Sequence, residues 1–152
     1  MKLNFFEKLI GSGFYTGYIP VASGTFGSLA AVAIYLVPGF EKLYIIIPVT
    51  LLLLFYGKFV GDKFEIVYEK DPAECTVDEI VGTWISLIAL PKTFFIVLTT
   101  FLIWRLLDII KPQPAKRLEK LKGGMGIMVD DVVSGIYTLL IMHILLYFFG
   151  SF

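Results

Sequence analysis

The sequence is poor in cysteine and histidine, with one of each. Cys75 alone cannot form an intrachain disulfide, and several thiolates around one metal are excluded. His143 falls in the middle of an apolar run, which predicts core packing or an interhelical hydrogen bond. Charge is scarce at 17% of residues, and 13 basic side chains balance 13 acidic ones. No nucleic-acid partner is expected of such a chain. The start of the sequence does not read as a secretory leader, because Glu7 and Lys8 interrupt its apolar run and no A-x-A-like site follows. Internal repeats and low-complexity tracts are missing as well.

Apolar side chains are abundant. They make up 57% of the 152 residues, and the mean hydropathy is +0.82. A soluble domain of this size could not bury so much apolar surface, so the composition predicts one integral-membrane domain over 1–152. The expected fold is all-α, a polytopic membrane bundle of four to five embedded helices. An amphipathic helix at the N-terminus would lie on the membrane surface, with Leu3, Phe6, Leu9 and Ile10 as its apolar stripe.

The apolar stretches are Phe26–Val37, Leu43–Val60, Ile80–Leu90, Thr93–Leu107 and Val132–Phe149. At 1.5 Å per residue the last would cover about 27 Å, and the first is shorter, so local thinning or a re-entrant path is expected there. If Pro91–Lys92 is the tip of a helical hairpin, eleven of the thirteen Lys and Arg residues fall on one side; only Lys42 and Lys92 do not. That asymmetry assigns the basic side to the cytoplasm.

The same topology gathers acids. Asp78 and Glu79 begin one segment, Asp108 ends the next, and Asp130 and Asp131 begin the last. Five carboxylates from three places thus reach one depth, at an interface where water and cations have access. Helix capping is the plainer reading for Asp78 and Glu79, with Asp130 as an N-cap and Asp131 as a first-turn acid. Asp108 resists it, because a helix C-terminus disfavours an anion. Arg105 one turn back or a bound cation would account for it. Oxygen-only ligands favour a hard ion, Mg²⁺ before Mn²⁺ or Ca²⁺. Arg105 and Lys111 lie close enough to Asp108 to hold phosphate oxygens, whereas Lys120 and Lys122 read as headgroup anchors. The loop VASGTFGSLAA (21–31) adds glycines for close approach and the hydroxyls of Thr25 and Ser28 at a helix N-terminus.

Four stretches together resemble the phosphatidylglycerophosphatase A family: GSGFYTGYIPVASGTFGSLAA (11–31), VDEIVG (77–82), WRLLDIIKPQP (104–114) and GGMGIMVDDVVSG (123–135). Their order and spacing agree with the family over almost the whole chain. Ser23 stands where the family usually has proline, and Trp104 where it usually has phenylalanine. The resemblance implies a Mg²⁺-dependent, multi-pass phosphatase of the inner membrane. Its substrate would be phosphatidylglycerol phosphate, taken from the cytoplasmic leaflet and converted to phosphatidylglycerol and inorganic phosphate. Family motifs fall on Asp78, Glu79, Arg105, Asp108, Lys111, Asp130 and Asp131, and more loosely on Thr25.

Other phosphatase chemistries lack their residues. A cysteine enzyme needs Cys-x₅-Arg, and Val81 stands at that spacing from Cys75. A histidine enzyme would need more than a mid-span His143, and no D-x-D run supplies an aspartyl-phosphate. Metal-assisted attack by water remains, with a carboxylate as base. The expected metal ligands are Asp78, Glu79, Asp130 and Asp131, with Asp108 as a further ligand or the base. Arg105 and Lys111 would clamp the phosphate, and Thr25 and Ser28 would add donors. Alternatives are a phosphotransferase of the CDP-alcohol type, a cation carrier or a non-catalytic membrane subunit. The first lacks its D-G-x-x-A-R signature here, and the second would need acids at mid-span, where there are none.

Overall fold

Seven helices follow the apolar runs and the turns between them in the computed structural model, which describes residues 2–150. They are α1 (Phe5–Gly11), α2 (Ser23–Tyr35), α3 (Leu43–Tyr68), α4 (Val77–Ser86), α5 (Phe94–Ile110), α6 (Ala115–Leu118) and α7 (Gly124–Phe149). A short 3₁₀ turn, Thr16–Tyr18, precedes α2. Among the described residues, α3 and α7 are long and apolar enough to cross a membrane, at 26 residues each. At 1.5 Å per residue each measures about 39 Å.

The shortest of the core helices is the central one. Eight of the ten residues of α4 are buried, and it packs against α2, α3, α5 and α7. On one side Val77 and Val81 meet Val60 and Phe64 of α3 and Ile127 of α7. On the other, Ile80 and Trp84 meet Ala31 and Tyr35 of α2 and Ile46 of α3. The indole of Trp84 donates to the Ala31 carbonyl at 3.0 Å, which gives its buried N–H a partner. The outward faces carry large apolar side chains, such as Phe55 at 73% and Phe94 at 74% exposure. Apolar surface on that scale suits lipid rather than water.

Several boundaries differ from the sequence reading. Helix α3 runs eight residues past Val60, because its polar last turns find partners. Lys58 pairs with Asp62 at 2.6 Å, Lys63 pairs with Glu7 of α1, and Asp62 and Glu65 accept the Gly124 and Gly123 N–H groups at 2.8 and 2.7 Å. Those two carboxylates cap α7 from another helix, since Gly123 has no side chain to do so. A Cβ on Gly124 would stand 2.0 Å from the Lys58 carbonyl oxygen, so only glycine lets the helices meet there. Helix α7 therefore begins at Gly124, and Asp130 and Asp131 lie almost two turns inside it. They are neither N-cap nor first-turn acid, which corrects the capping reading for this pair. His143 is exposed, and its Nδ1 lies 2.9 Å from the Leu139 carbonyl of its own helix, so neither core packing nor an interhelical bond holds. Leu3, just ahead of α1, joins the core, while Phe6 within it is exposed.

The loop joining α2 to α3 and the turn joining α4 to α5 meet at one end of the bundle. Lys92 bridges them, donating to the Val37 carbonyl and the Glu41 carboxylate, both at 2.9 Å. The acids expected to converge lie at the other end.

Candidate active site

Three helices and the start of a fourth deliver the polar end. The first turn of α4 presents Asp78 and Glu79. The last two turns of α5 present Arg105 and Asp108, and Lys111 forms its C-cap. Lys111 adopts a left-handed φ of 47°, a conformation that costs a non-glycine residue about 1 kcal/mol or more. Its ammonium reaches Asp130 at 2.6 Å and Glu119 at 3.2 Å. Burial opposes the charge of Lys111, but the hydrogen bond and charge of Asp130 outweigh it and hold the ammonium above its usual range.

Glu79, Asp108 and Asp131 each bring one carboxylate oxygen within 4.8 Å of the others. At that distance two full negative charges repel by about 3 kcal/mol at an effective dielectric of 20. Asp108, Asp130 and Asp131 are at most 7% exposed and Asp78 is 8% exposed. Arg105 answers part of the charge, with Nη1 bonded to Glu79 and 2.8 Å from Asp108 Oδ2. Among the described residues, the ion pairs of the five carboxylates are with Arg105 and Lys111 alone. Burial, then the charge of Asp108, push the Glu79 carboxyl up to about 7, against the pull of Arg105. Burial and then the charge of Glu79 push Asp78 well above the ordinary carboxylate range. Asp78 Oδ1, Asp130 Oδ1 and Asp131 Oδ2 are buried and find no hydrogen-bond partner among the described residues. Such atoms are costly unless a ligand or proton answers them.

The start of α2 closes the site. A Cβ on Gly24 would stand 2.0 Å from Glu79 Oε1, so glycine is required for the helix end to reach the acids. Ser28 is fully buried. Its hydroxyl donates to the Gly24 carbonyl at 2.9 Å and accepts from Trp104 Nε1 at 3.3 Å and Arg105 Nη1 at 3.4 Å, with Glu79 Oε2 also 3.4 Å away. It thus positions Glu79 and Arg105 from behind. Two polar cavities open here and share Ser23, Gly24, Ala73 and Glu79. One, of about 260 Å³, holds Asp78, Asp108, Lys111, Asp130 and Asp131. The other, of about 460 Å³, holds Arg105, Tyr18 and Glu74.

The structure brings together Asp78, Glu79, Arg105, Asp108, Lys111, Asp130 and Asp131, and places Thr25 on the wall of neither polar cavity. The sequence reading missed three contributors: Ser23, Glu74 and Asp71, the last of which lines the acid cavity from the loop after α3. Asp71 gave one faint signal, its place beside Pro72 shortly before the acidic turn of α4.

An apolar helical bundle with buried carboxylates and two cations gathered at one end defines a membrane enzyme with an acid-lined centre. The chain belongs to the phosphatidylglycerophosphatase A family, whose sequence model matches residues 9–146, and it is accordingly a phosphatase. It is 34% identical to the phosphatidylglycerophosphatase A of Escherichia coli K12, over 89% of this chain and 80% of that protein. The phosphatidylglycerophosphatase A of Haemophilus influenzae is 33% identical, over 91% and 88%. A Bacteroides thetaiotaomicron protein provisionally named phosphatidylinositol-3-phosphatase is 36% identical, over 93% and 94%. No solved structure gives a significant match.

Proposed function

We propose that this chain, as one integral-membrane domain, hydrolyses the terminal phosphomonoester of phosphatidylglycerol phosphate with Mg²⁺, at the cytoplasmic face of the inner membrane. The observation that carries the reading is the meeting of Glu79, Asp108 and Asp131 within 4.8 Å, from three separate helices. The donor set fits a hard divalent ion, since all three groups are carboxylates and three oxygens of the surrounding acids have no protein partner. Glu79, Asp108 and Asp131 would hold it, with Asp78 and Asp130 beside them. Mg²⁺, when bound, supplies a compensating charge and Lewis acidity toward the phosphoryl group.

The chain's own groups do the rest. Lys111, fixed by Asp130 and Glu119, draws a phosphoryl oxygen into the acid cavity. Arg105, fixed by Asp108 and Ser28, keeps Glu79 in place. A carboxylate of the cluster takes a proton from the attacking water as its oxygen bonds to phosphorus. The bond from phosphorus to the lipid glycerol oxygen breaks, and that oxygen takes the proton back from the carboxylate and leaves as the alcohol of phosphatidylglycerol. The cytoplasmic orientation is supported by the eleven Lys and Arg residues assigned to the acid-bearing side.

The test is phosphate release by purified protein from short-chain phosphatidylglycerol phosphate, with Mg²⁺ or with a chelator. Release with Mg²⁺ that stops in chelator is expected. Release that persists in chelator removes the metal, and none under either condition removes the activity.

A further inference from the structure

The two polar cavities meet at Glu79, and each has its own cation: Lys111 in the smaller, Arg105 in the larger. Arg105 commits Nη1 to Glu79 and Asp108. Its Nη2 lies on the side of Gly24, 3.2 Å from where a Cβ of that residue would be. A single phosphomonoester held among the carboxylates and Lys111 leaves the larger cavity, about 460 Å³, with nothing to bind.

The far wall of that cavity is preformed. The chain at Gly11–Tyr18 is laced to the segment before α4: Thr76 N donates to the Gly11 carbonyl at 2.9 Å, and the Thr16 and Thr76 hydroxyls are 3.1 Å apart. Gly17 lies so close to the Glu74 backbone that a Cβ would stand 2.1 Å from its carbonyl oxygen. Tyr18 is tied to Tyr68 through their hydroxyls at 3.0 Å. Ala22, on the rim, is held at a left-handed φ of 53°. A rigid polar hollow beside a cation lowers the ordering cost of a bound group.

We infer that the larger cavity is a headgroup subsite for the polyol and phosphodiester of a lipid whose terminal phosphate sits in the acid cavity. The diester oxygens face Arg105, the polyol passes Gly24 and Glu79, and its hydroxyls donate to the Glu74 carboxylate. This rests on the lipid-phosphatase reading and adds a requirement: the substrate carries a second, diesterified phosphate. Phosphatidate, which has the monoester alone, leaves the subsite unfilled.

Two measurements test it. The first compares kcat/KM for phosphatidylglycerol phosphate and phosphatidate in mixed micelles. The wild-type ratio should favour the former, and Glu74→Gln or Ile19→Trp should lower that ratio about tenfold, the effect of one lost hydrogen bond or a crowded pocket. Equal wild-type rates, or a ratio unaltered by both substitutions, overturn the subsite. The second needs no turnover. An Ile19→Cys variant places a thiol on the cavity wall, while the native Cys75 is buried. Phosphatidylglycerol phosphate should slow its alkylation by maleimide, and phosphatidate should not. Protection without hydrolysis of either lipid would keep the subsite and discard the phosphatase reading. Equal protection by both lipids, or by neither, discards the subsite.

Discussion

At one end of the bundle a single lysine meets a single glutamate. Lys92 pairs with Glu41 and donates to the carbonyl of Val37, and Lys42 beside them is left to solvent. At the other end five carboxylates share Arg105 and Lys111, and three of their buried oxygens have no partner. Balanced charge joins loops and asks nothing further. Unbalanced buried charge is unfavourable to the folded state until something arrives to answer it, and this is what a binding site requires.

The comparison breaks most sharply by substitution at the acid end. Glu79→Ala and Asp131→Ala should each lower phosphate release by about a thousandfold or more, as loss of a group acting directly on the reacting centre does. Asp131→Asn should also raise the melting temperature in chelator at alkaline pH, where the buried native carboxyl has to ionise within 4.8 Å of Glu79 and Asp108. Activity lost and stability gained together would mark an end built for a ligand. Retained activity at saturating Mg²⁺ would take either residue out of the site, and a melting temperature that falls would show that the charges are not in conflict.

A middling effect is expected from pH. The Glu79 carboxyl titrates near 7 in the folded chain against an ordinary value of 4.5, and Asp78 is raised as well. Folding therefore takes up protons between those values. The stability is fully present below pH 4.5 and is lost as pH rises through 7. In chelator the melting temperature should fall from pH 5 to pH 8. With Mg²⁺ the slope should flatten, because the ion replaces the protons, and activity should rise over the same interval. A chelated protein whose melting temperature climbs with pH would contradict the buried, metal-seeking cluster.

Much of this end was legible in the sequence because a membrane topology leaves few choices. Acids were placed at segment ends, segments alternated in direction, and the convergence of Asp78, Glu79, Asp108, Asp130 and Asp131 followed. What stayed hidden depends on contacts between distant helices. The start of α7 lies eight residues before its apolar run because Asp62 and Glu65 cap it from α3, and no local pattern announces a cap supplied from 58 to 62 residues away. Ser28 looked like an anion donor because it stands near a helix N-terminus, yet packing of α2 on Trp104 turns it inward. Asp71 and Glu74 were hard to read for a related reason: they sit in an irregular loop, where periodicity carries no information and Pro72 beside Asp71 is the one cue.

The smallest effect belongs to the balanced end. Lys92→Met removes the bond to Glu41 and the one to Val37, and leaves the acid cluster untouched. Exposed pairs contribute little, so phosphate release should stay within about twofold of wild type. The melting temperature should drop slightly, with the loss shrinking as salt is added, since the pair is partly solvated and screened. Its response to pH between 5 and 8 should match that of the wild type, because the titrating cluster lies at the other end. A Lys92→Met protein that loses Mg²⁺-dependent activity would show the two ends to be coupled through α4 and α5, and the separation drawn between them would fail.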